Sequence, residues 1–316
     1  MTTVRALEMF CGIGGFAAAA AGTNVRVAGA VDQSPAALDV YRLNFPGHDV
    51  WQLNLENVTA EELMIFNADF WWLSPPCQPY TVRGAGRDIE DPRALSFRRI
   101  LDVMARIPEA NLPRHMALEN VEGFARSAMR RRLVDLLASR GFQHQECILC
   151  PTELGVPMRR PRYYLMASRT RLSPPVVIMD MPLRPLSDYL DGGEEDNIPD
   201  ELHVGGDVLA KFGKGFRILD PNDPQAYTTC FTSGYGRSHM YAGSYLRCTG
   251  GVRRFAPEEI ARLLHFREDF RFPERMTLRK KWQLVGNSLS VAAVRKVLEA
   301  FPDIHGLKPQ AASRKA

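Results

Sequence analysis

Residues 4–22, VRALEMFCGIGGFAAAAAG, place an apolar segment, a glycine-rich turn and an alanine run one after another. We interpret residues 4–9 as a strand, and the alanine run as a helix that Gly22 ends. The next apolar segment, residues 25–31, predicts a second strand ending at Asp32. A strand, a turn, a helix and a second strand begin a βαβ unit, so these residues predict a parallel sheet.

The alternation of strands and helices continues to about residue 170. Ser34 is a candidate N-cap, and Pro35 suits the first position of the helix that follows. Apolar periodicity predicts helices over 34–45, 94–107 and 127–140, and strands over 69–74, 115–120, 142–150 and 162–168. The fold class is therefore α/β, with a doubly wound, mostly parallel sheet.

The character of the sequence changes after this point. Residues 171–225 are rich in Pro, Gly and Asp and have no sustained period, whereas residues 257–265 regain helical spacing. We predict two domains. The larger comprises residues 1–170 and 276–316, and the smaller, irregular one comprises residues 171–275.

The composition excludes several classes of protein. The 316 residues are 45% hydrophobic and 24% charged, which is typical of a globular protein and excludes bulk disorder. No apolar run approaches the ~18–20 residues that span a bilayer, so we expect no membrane partner. Residues 1–10 lack the pattern of a secretory signal, so we expect a cytoplasmic protein, or also a nuclear one in a eukaryote.

The charge and the cysteines leave alternatives open. The net charge is +4, and 33 of the 40 basic residues are arginine. This excess permits a nucleic-acid partner, but GC-rich codons would also produce it. We expect the six cysteines to be reduced thiols. Cys147 and Cys150 could form half of a zinc site, but no second pair follows, so we expect two half-buried strand cysteines and no metal.

The glycine turn predicts a nucleotide-type ligand. Gly12, Gly14 and Gly15 would let the backbone approach a ligand closely, and a helix start offers amides. Asp32 lies 20 residues after Gly12, where an acid accepts hydrogen bonds from ribose hydroxyls. The spacing G-x-G-G departs from the dinucleotide pattern, which disfavours NAD and favours an adenosine cofactor without pyrophosphate, such as S-adenosylmethionine. A tight turn without a ligand is the alternative.

A cysteine surrounded by prolines follows another predicted strand. The segment Ser74–Tyr80, SPPCQPY, fixes the backbone on both sides of Cys77. Because α/β active sites form at the carboxyl ends of strands, this thiol is a candidate nucleophile. The alternative is a proline turn with an incidental cysteine. The residues that follow could close over a phosphate-bearing substrate, namely Thr81, Arg83, Gly84, Gly86 and Arg87.

An acid and two arginines follow later strands. Glu119 has apolar neighbours that can raise the pKa of its carboxyl and make it a proton donor; a solvated helix N-cap is the alternative. Arg160 and Arg162 flank Pro161, and alternate positions put both guanidiniums on one face of a strand. They would position a phosphate or orient the acid, unless they are surface charges on an edge strand.

Taken together, these motifs resemble the C5-cytosine methyltransferase family. The resemblance rests on LEMFCGIGG, SPPCQPY, LENV, RRPRYYL and QLVGNSLS, and it covers about residues 5–170 and 226–300. The segment Thr229–Gly236, TCFTSGYG, is similar to the Cys-Phe-Thr signature of the branch that modifies aspartate tRNA at position 38 of the anticodon loop. FAPEEIARLLHF and FPERMTLRKKWQLVGNSLS also resemble that branch.

The resemblance implies a fold, a cofactor and site residues. The fold would be that of class I S-adenosylmethionine-dependent methyltransferases, with the smaller domain recognising the target. S-adenosylmethionine would be the methyl donor and S-adenosylhomocysteine the product. The implied catalytic residues are Cys77 as nucleophile, Glu119 at cytosine N3, and Arg160 and Arg162 in support. The implied cofactor residues are Ile13, Gly14, Gly15, Asp32, Leu55, Glu56, Ser74, Asn287 and Ser288.

The resemblance also implies the chemistry. Attack of the Cys77 thiolate on C6 makes C5 of cytosine nucleophilic, and protonated Glu119 stabilises the charge at N3. C5 takes the methyl group, and loss of the C5 proton and the thiolate restores the ring. The target base must leave any stack, which costs least in a loop. The sequence departs from the family pattern in two places. Met158 stands where an amide side chain is usual, and residues 171–225 match no pattern of the family.

Three functions fit these residues. A tRNA methyltransferase is favoured by the Cys-Phe-Thr segment and the short recognition region; aspartate tRNA is the default, and weak DNA binding is allowed. A DNA cytosine-5 methyltransferase would use the same chemistry, and a catalytically silent binding module is disfavoured by Cys77 and Glu119. We expect a monomer. Candidate phosphate contacts, each of which could instead be a solvated charge, are Arg83, Arg87, Lys211, Lys214, Arg237, Lys280 and Lys281.

Overall fold

A computed structural model of the protein describes residues 2–81, 87–175, 181–191 and 198–307. Among these residues, the largest sheet has seven strands, namely β1 (Val4–Met9), β2 (Val25–Asp32), β3 (Val50–Gln52), β4 (Phe70–Leu73), β5 (His115–Val121), β6 (Gln143–Leu149) and β7 (Arg162–Ser168). Their order is β3-β2-β1-β4-β5-β7-β6. The first five strands pair in parallel, and β7 is antiparallel to β5 and β6. The mostly parallel sheet is therefore confirmed.

Helices cover both faces of this sheet. The helices of the described residues are α1 (Gly15–Ala20), α2 (Pro35–Asn44), α3 (Ala60–Met64), α4 (Leu95–Met104), α5 (Ala128–Ser139), α6 (Gly206–Phe212), α7 (Pro257–Leu263), α8 (Leu278–Asn287) and α9 (Val291–Leu298). One apolar core joins α1, α2 and α9 to one sheet face, and a second joins α3, α4 and α5 to the other. The doubly wound α/β class is thus confirmed. No helix in the described ranges is long and apolar enough to cross a membrane.

A second, three-stranded sheet lies in the later part of the chain. Its strands are β8 (Ile218–Leu219), β9 (Tyr245–Cys248) and β10 (Gly251–Arg254), in the order β10-β9-β8. Both α6 and β8 fall within residues 171–225, which the sequence predicted to be irregular. The helix has only seven residues and begins at two adjacent glycines, so its periodicity is too short to be recognised. The proposed division into two domains stays a prediction.

Local signals predicted the boundaries of several helices correctly. The side chain of Ser34 accepts a hydrogen bond from the amide of Ala37, and Pro35 is the first residue of α2, as expected. Ser127 caps α5 in the same way. Helix α8 was not predicted, because three consecutive basic residues at 279–281 obscure its apolar positions.

A glutamate is buried beneath the glycine turn. Glu8 lies on β1 and is 1% exposed. Its carboxyl accepts hydrogen bonds from the amide of Phe16, at 3.2 Å, and from the hydroxyl of Tyr41, at 3.0 Å. Burial raises the pKa of Glu8 to about 8, although both hydrogen bonds lower it. The group therefore changes its charge in the neutral pH range inside the folded protein.

Glu8→Gln should make the stability of the protein less dependent on pH. Since the pKa of Glu8 is higher when folded, the folded protein keeps a proton that the unfolded chain releases. Its contribution to stability is complete below about pH 4.5, declines as pH rises, and is lost above about pH 8, by at most about 1.4 kcal/mol per pH unit. Urea unfolding of both proteins across this range measures the difference. If the free energies of unfolding of the two proteins changed with pH in the same way, the raised pKa assigned to Glu8 would be contradicted.

Candidate active site

The carboxyl ends of β1, β4 and β5 lie side by side at one edge of the large sheet. Met9 pairs with Leu73, and Leu73 pairs with Leu118. The glycine turn, the loop of Cys77 and the carboxyl of Glu119 therefore follow their strands at the same level. The strand order also reverses at β1, which has β2 on one side and β4 on the other. Open α/β sheets bind their ligands at such a point.

Hydrogen bonds hold the loop of Cys77 to both neighbouring strands. The amide of Ser74 donates to the carbonyl of Met9 at 3.3 Å, and the side-chain amide of Asn120 donates to the carbonyl of Pro75 at 3.2 Å. A short 3₁₀ turn begins directly after Cys77, whose thiol is half-buried. A loop fixed in this way presents the sulfur in one position, as a nucleophile requires.

Burial and two arginines control the ionisation of Cys77 and Glu119. Burial raises the pKa of the Glu119 carboxyl, and the charges of Arg162 and Arg160 lower it without cancelling the rise. Burial likewise raises the pKa of Cys77; Arg162 lowers it, and Glu119 lies close enough to raise it further. Glu119 is therefore suited to hold a proton, and the arginines supply the positive field that a thiolate at Cys77 needs.

The two arginines meet on one sulfur atom. Nη1 of Arg160 lies 3.0 Å from Sγ of Cys230, and Nη2 of Arg162 lies 3.5 Å from it. Nε of Arg162 also lies 3.3 Å from Oε1 of Glu119. Arg160 is 3% exposed and precedes β7, and the Arg162 side chain is 14% exposed. The alternative of surface charges on an edge strand is wrong, and Arg162 is placed to orient the acid.

Cys230 was not predicted to act at the site. Burial raises the pKa of its thiol, but Arg160 and Arg162 lower it further, so the pKa falls below its ordinary value. The sequence marked Cys230 only as part of the Cys-Phe-Thr signature. Cys230 lies 70 positions after Arg160 and 68 positions after Arg162 in the sequence, so no local sequence pattern predicts these contacts.

Backbone pairing explains how the arginine and the cysteine meet. The amide of Thr228 donates to the carbonyl of Pro157 at 2.9 Å, and the amide of Arg159 donates to the carbonyl of Thr228 at 2.8 Å. The residue between them, Met158, replaces the amide usual in the family and is buried. This short parallel pairing brings the segment before β7 beside the one that carries Cys230.

Arg160 also connects the site to the end of α8. Besides Cys230, it donates to the carbonyls of Phe231 at 2.9 Å, Gly286 at 3.2 Å and Ser288. Ser288 is one of the expected cofactor residues, and Gly286 directly precedes the other, Asn287. One buried guanidinium therefore holds together the segment before β7, the Cys-Phe-Thr signature and the segment after α8.

Asp32 holds the glycine turn in place. Its Oδ2 accepts from the amide of Gly12 at 2.9 Å, and its Oδ1 accepts from the amide of Ser34 at 2.8 Å. Gly12 has a φ of +53°, and a Cβ built there meets nothing within 4 Å. The turn therefore leaves space beside Gly12, next to an acid at a strand end, which fits an adenosine cofactor. Ribose binding by Asp32 stays a prediction.

The other two glycines are required by close packing. A Cβ at Gly14 would lie 2.4 Å from the ring of Phe45, and Gly14 has a φ of +89°. A Cβ at Gly15 would lie 2.4 Å from Leu289. Gly15 thus brings the segment after α8 against the turn.

The remaining predicted cofactor residues lie around this turn or near the strand ends. Ile13, Leu55 and Ser288 are buried, and Asn287 is exposed at the end of α8. Glu56 and Ser74 are half-buried after β3 and β4, respectively. Their contacts with a cofactor stay predictions.

The candidate phosphate contacts differ in their surroundings. Arg83 lies outside the described residues, as do Gly84 and Gly86 of the same predicted loop, whereas Arg87 is described and exposed. Lys281 lies 3.3 Å from Glu258, and Lys280 donates to Gln283 at 3.2 Å. The exposed charges in the second half of the chain include Lys211, Lys214 and Arg237.

Cys147 and Cys150 are both half-buried, as expected, but only Cys147 lies in a strand, because β6 ends at Leu149. The sulfur of Cys150 accepts from the amide of Arg160 at 3.3 Å and from the hydroxyl of Thr152 at 3.0 Å. No metal-ligand cluster of three or more His, Cys, Asp or Glu occurs within the described ranges. None of the described cysteines forms a disulfide with another described cysteine.

Comparisons with known proteins identify a family and several similar proteins. The family model of the C-5 cytosine-specific DNA methylases matches residues 4–203. The tRNA (cytosine(38)-C(5))-methyltransferase of Bos taurus is 30% identical over 96% of this chain and 100% of its own length. The structure of the Entamoeba histolytica methyltransferase EhMeth has a TM-score of 0.85 at 26% identity, covering 95% of this chain and 98% of that one. The Schizosaccharomyces pombe Dnmt2 methyltransferase has a TM-score of 0.82 at 28% identity, covering 94% and 98%.

Cys230→Ser tests the arrangement of the two arginines. The serine cannot carry a negative charge, so the guanidiniums should lower the pKa values of Glu119 and Cys77 further. We expect turnover to fall about 10- to 100-fold, since a hydrogen bond to a charged group contributes about 1.5–3 kcal/mol. The pH–rate profile should also move to lower pH. Initial rates across the pH range measure both effects.

Cys147→Ser is the matched control, because Cys147 is a partly buried thiol within β6. It should leave the profile unchanged. A Cys230→Ser enzyme that is merely less stable, with the wild-type profile, would show that Cys230 only fills space.

Proposed function

Because the chain belongs to the family of C-5 cytosine-specific DNA methylases, we propose that it methylates C5 of a cytosine in tRNA with S-adenosylmethionine as donor. The observation that carries the chemistry is the convergence of Cys77, Glu119 and Arg162 at the edge of the sheet. The choice of tRNA is supported by the Bos taurus relative, which matches nearly the whole chain and is named for position 38 of tRNA. The finer proposal is the same position in the anticodon loop of aspartate tRNA.

The residues of the chain divide the work between them. S-adenosylmethionine supplies an electrophilic methyl group when it is bound. The space beside Gly12, Asp32 at the strand end, and the Asn287–Ser288 segment would hold it. These groups would hold the cofactor at the turn after β1, whose strand lies beside β4 and the loop of Cys77.

The substrate base would react between Cys77 and Glu119. The sulfur of Cys77 forms a bond to C6, and the ring electrons move toward N3 and C5. Glu119, kept protonated by burial, donates a hydrogen bond to N3, and Arg162 holds its carboxyl in place. After C5 has gained the methyl group, it loses its proton to a base, the bond between sulfur and C6 breaks, and the aromatic ring is restored.

A DNA methyltransferase is the second candidate, because the matched family is named for DNA. Its chemistry would be the same, so the structure of the catalytic edge does not separate the two. A duplex substrate would have to give up a paired and stacked base, at a cost of a few kcal/mol that an unpaired loop base avoids in part. This difference favours tRNA.

The proposal is tested by incubating the protein with labelled S-adenosylmethionine and either total tRNA or genomic DNA, and measuring the label incorporated into each. We expect incorporation into tRNA, and bisulfite sequencing of separate isoacceptors should identify the anticodon-loop cytosine of aspartate tRNA. Incorporation into DNA alone would remove the tRNA proposal. Methylation of glutamate tRNA alone would correct only the isoacceptor.

Cys77→Ala should abolish methylation and leave binding of S-adenosylmethionine nearly unchanged, because the nucleophile is lost and the glycine turn is intact. Cys147→Ala is the control and should remain active. RNA with 5-fluorocytosine at the target position should trap a covalent adduct with the wild type but not with Cys77→Ala. Turnover by Cys77→Ala would show that the nucleophile is wrongly assigned.

A further inference from the structure

One continuous segment carries the acid of the candidate site and contacts the loop of the nucleophile on both sides. Asn120, which follows Glu119, donates to the carbonyl of Pro75 at 3.2 Å. Pro75 lies two positions before Cys77. The 3₁₀ turn Glu122–Arg126 follows β5 directly and contacts the loop after Cys77. The acid and both supports of the nucleophile therefore belong to one stretch of chain.

Gly123, within this turn, lies against the backbone of the Cys77 loop. A Cβ built on Gly123 would lie 2.1 Å from the carbonyl oxygen of Tyr80 and 3.3 Å from its carbonyl carbon. Because the obstacle is backbone, no change of side-chain rotamer would remove it. Gly123 does not have a φ in the left-handed region. The close approach, and not the backbone conformation, therefore requires glycine at this position.

The carbonyl of Tyr80 is connected to Cys77 by a single turn. The amide of Tyr80 donates to the carbonyl of Cys77 at 3.0 Å and closes the 3₁₀ turn Gln78–Tyr80. Pro79 lies inside this turn and fixes its own φ, which makes the turn stiff. A displacement of Tyr80 therefore also displaces the residue that carries the sulfur.

The turn that carries Gly123 is held from the other side by the core. The next residue, Phe124, is fully buried, and its ring lies 5.3 Å from that of Tyr163 and 6.2 Å from that of Phe97. Protein interiors are packed as densely as organic crystals, so this turn has no space into which it could retreat. Extra volume at Gly123 would therefore move the Cys77 loop.

The ring of Phe124 contacts the same side of the loop. It lies 4.9 Å from the ring of Tyr80 with 89° between the planes, which is an edge-to-face arrangement. Tyr80 is buried, and its hydroxyl has no hydrogen-bond partner among the residues that the structure describes. The contact between the rings, rather than a hydrogen bond of the hydroxyl, therefore holds the Tyr80 side chain.

We propose that Gly123 and Phe124 are positioning residues, which place the sulfur of Cys77 for the reaction. Gly123 sets how closely the loop approaches the end of β5, and Phe124 holds the loop there. The sulfur attacks C6 while the carboxyl of Glu119 contacts N3 of the same ring, so one geometry must serve both contacts. This inference rests on the proposed function, because it takes a cytosine attacked by Cys77 as the substrate.

Gly123→Ala tests the close approach. An ordinary contact between carbon and oxygen, about 3.3 Å, requires the carbonyl of Tyr80 to move by about 1 Å. We expect kcat on tRNA to fall about 10- to 100-fold, because a misplacement of about 1 Å can cost that factor in rate. The KM for tRNA and the Kd for S-adenosylmethionine should stay nearly unchanged. Adduct formation with 5-fluorocytosine RNA should slow by the same factor as kcat, because this step forms the bond between sulfur and C6.

Gly47→Ala is the matched control. Gly47 is exposed, its φ is also outside the left-handed region, and a Cβ there meets nothing within 4 Å. Its kcat and its rate of adduct formation should equal those of the wild type. A folded Gly123→Ala enzyme with the wild-type kcat, or with a raised KM alone, would overturn the proposal.

Phe124→Leu tests the contact between the rings. Leucine keeps the core apolar but loses the edge-to-face contact with Tyr80, so kcat should fall about 2- to 10-fold, on the scale of one lost aromatic contact. The KM for tRNA should stay nearly unchanged. Phe66→Leu is the matched control, since Phe66 is buried in the same core and makes an edge-to-face contact with Trp51 at 5.6 Å.

Both leucine variants should lower the thermal midpoint, because each leaves a cavity in the core, but only Phe124→Leu should lower kcat. Equal kcat values for the two variants would overturn the role of Phe124. If Gly123→Ala does not fold, the same result would overturn the proposal as a whole.

The outcomes separate this inference from the proposed function. If the wild type methylates tRNA and Gly123→Ala does so with the same kcat, the positioning role fails and the function stands. If the wild type methylates DNA instead of tRNA, the proposed function fails. The comparison of kcat and KM between the variants, made on DNA, then still decides the positioning role.

Discussion

The buried guanidinium of Arg160 is the constraint on which the site depends. A charge removed from water must be compensated by nearby acceptors, or the fold becomes very unstable. Here the acceptors are the sulfur of Cys230 and three carbonyl groups on two other segments. If either segment moved away, the buried guanidinium of Arg160 would lose hydrogen-bond acceptors and its charge would no longer be compensated. Because Leu289 follows immediately and packs on Gly15, the same charge also fixes the turn that would hold the cofactor.

The two cysteines of the site are suited to different roles because their surroundings shift the pKa values of their thiols in opposite directions. Burial raises the pKa values of both Cys77 and Cys230, and the positive charges of Arg160 and Arg162 lower both. Cys230 lies within hydrogen-bonding distance of both guanidiniums, so its pKa falls. Cys77 has Glu119 nearby, and its pKa stays raised. The first sulfur is suited to balance the charge of the two arginines, and the second to take a negative charge when a substrate is present to accept it.

Local patterns in the sequence were sufficient to predict the strands and helices of the large sheet and the polar groups at the strand ends. Apolar periodicity located the strands, and Ser34 and Pro35 located the start of α2, because these signals act within a few residues. The direction of β7 was harder to see. Only twelve residues separate β6 from β7, without a crossover helix, which favours an antiparallel pair. The contacts of Cys230 and the burial of Glu8 against Tyr41 depend on packing between distant segments, and no periodicity encodes them.

The energetics of the target base favour an unpaired substrate at the catalytic edge. A protonated Glu119 in a buried site can contact only a base that has left its neighbours, and unstacking costs a few kcal/mol. Ordering the bases on either side costs further conformational freedom. An unpaired loop base has fewer neighbours to leave, so both costs are lower for a loop than for a duplex.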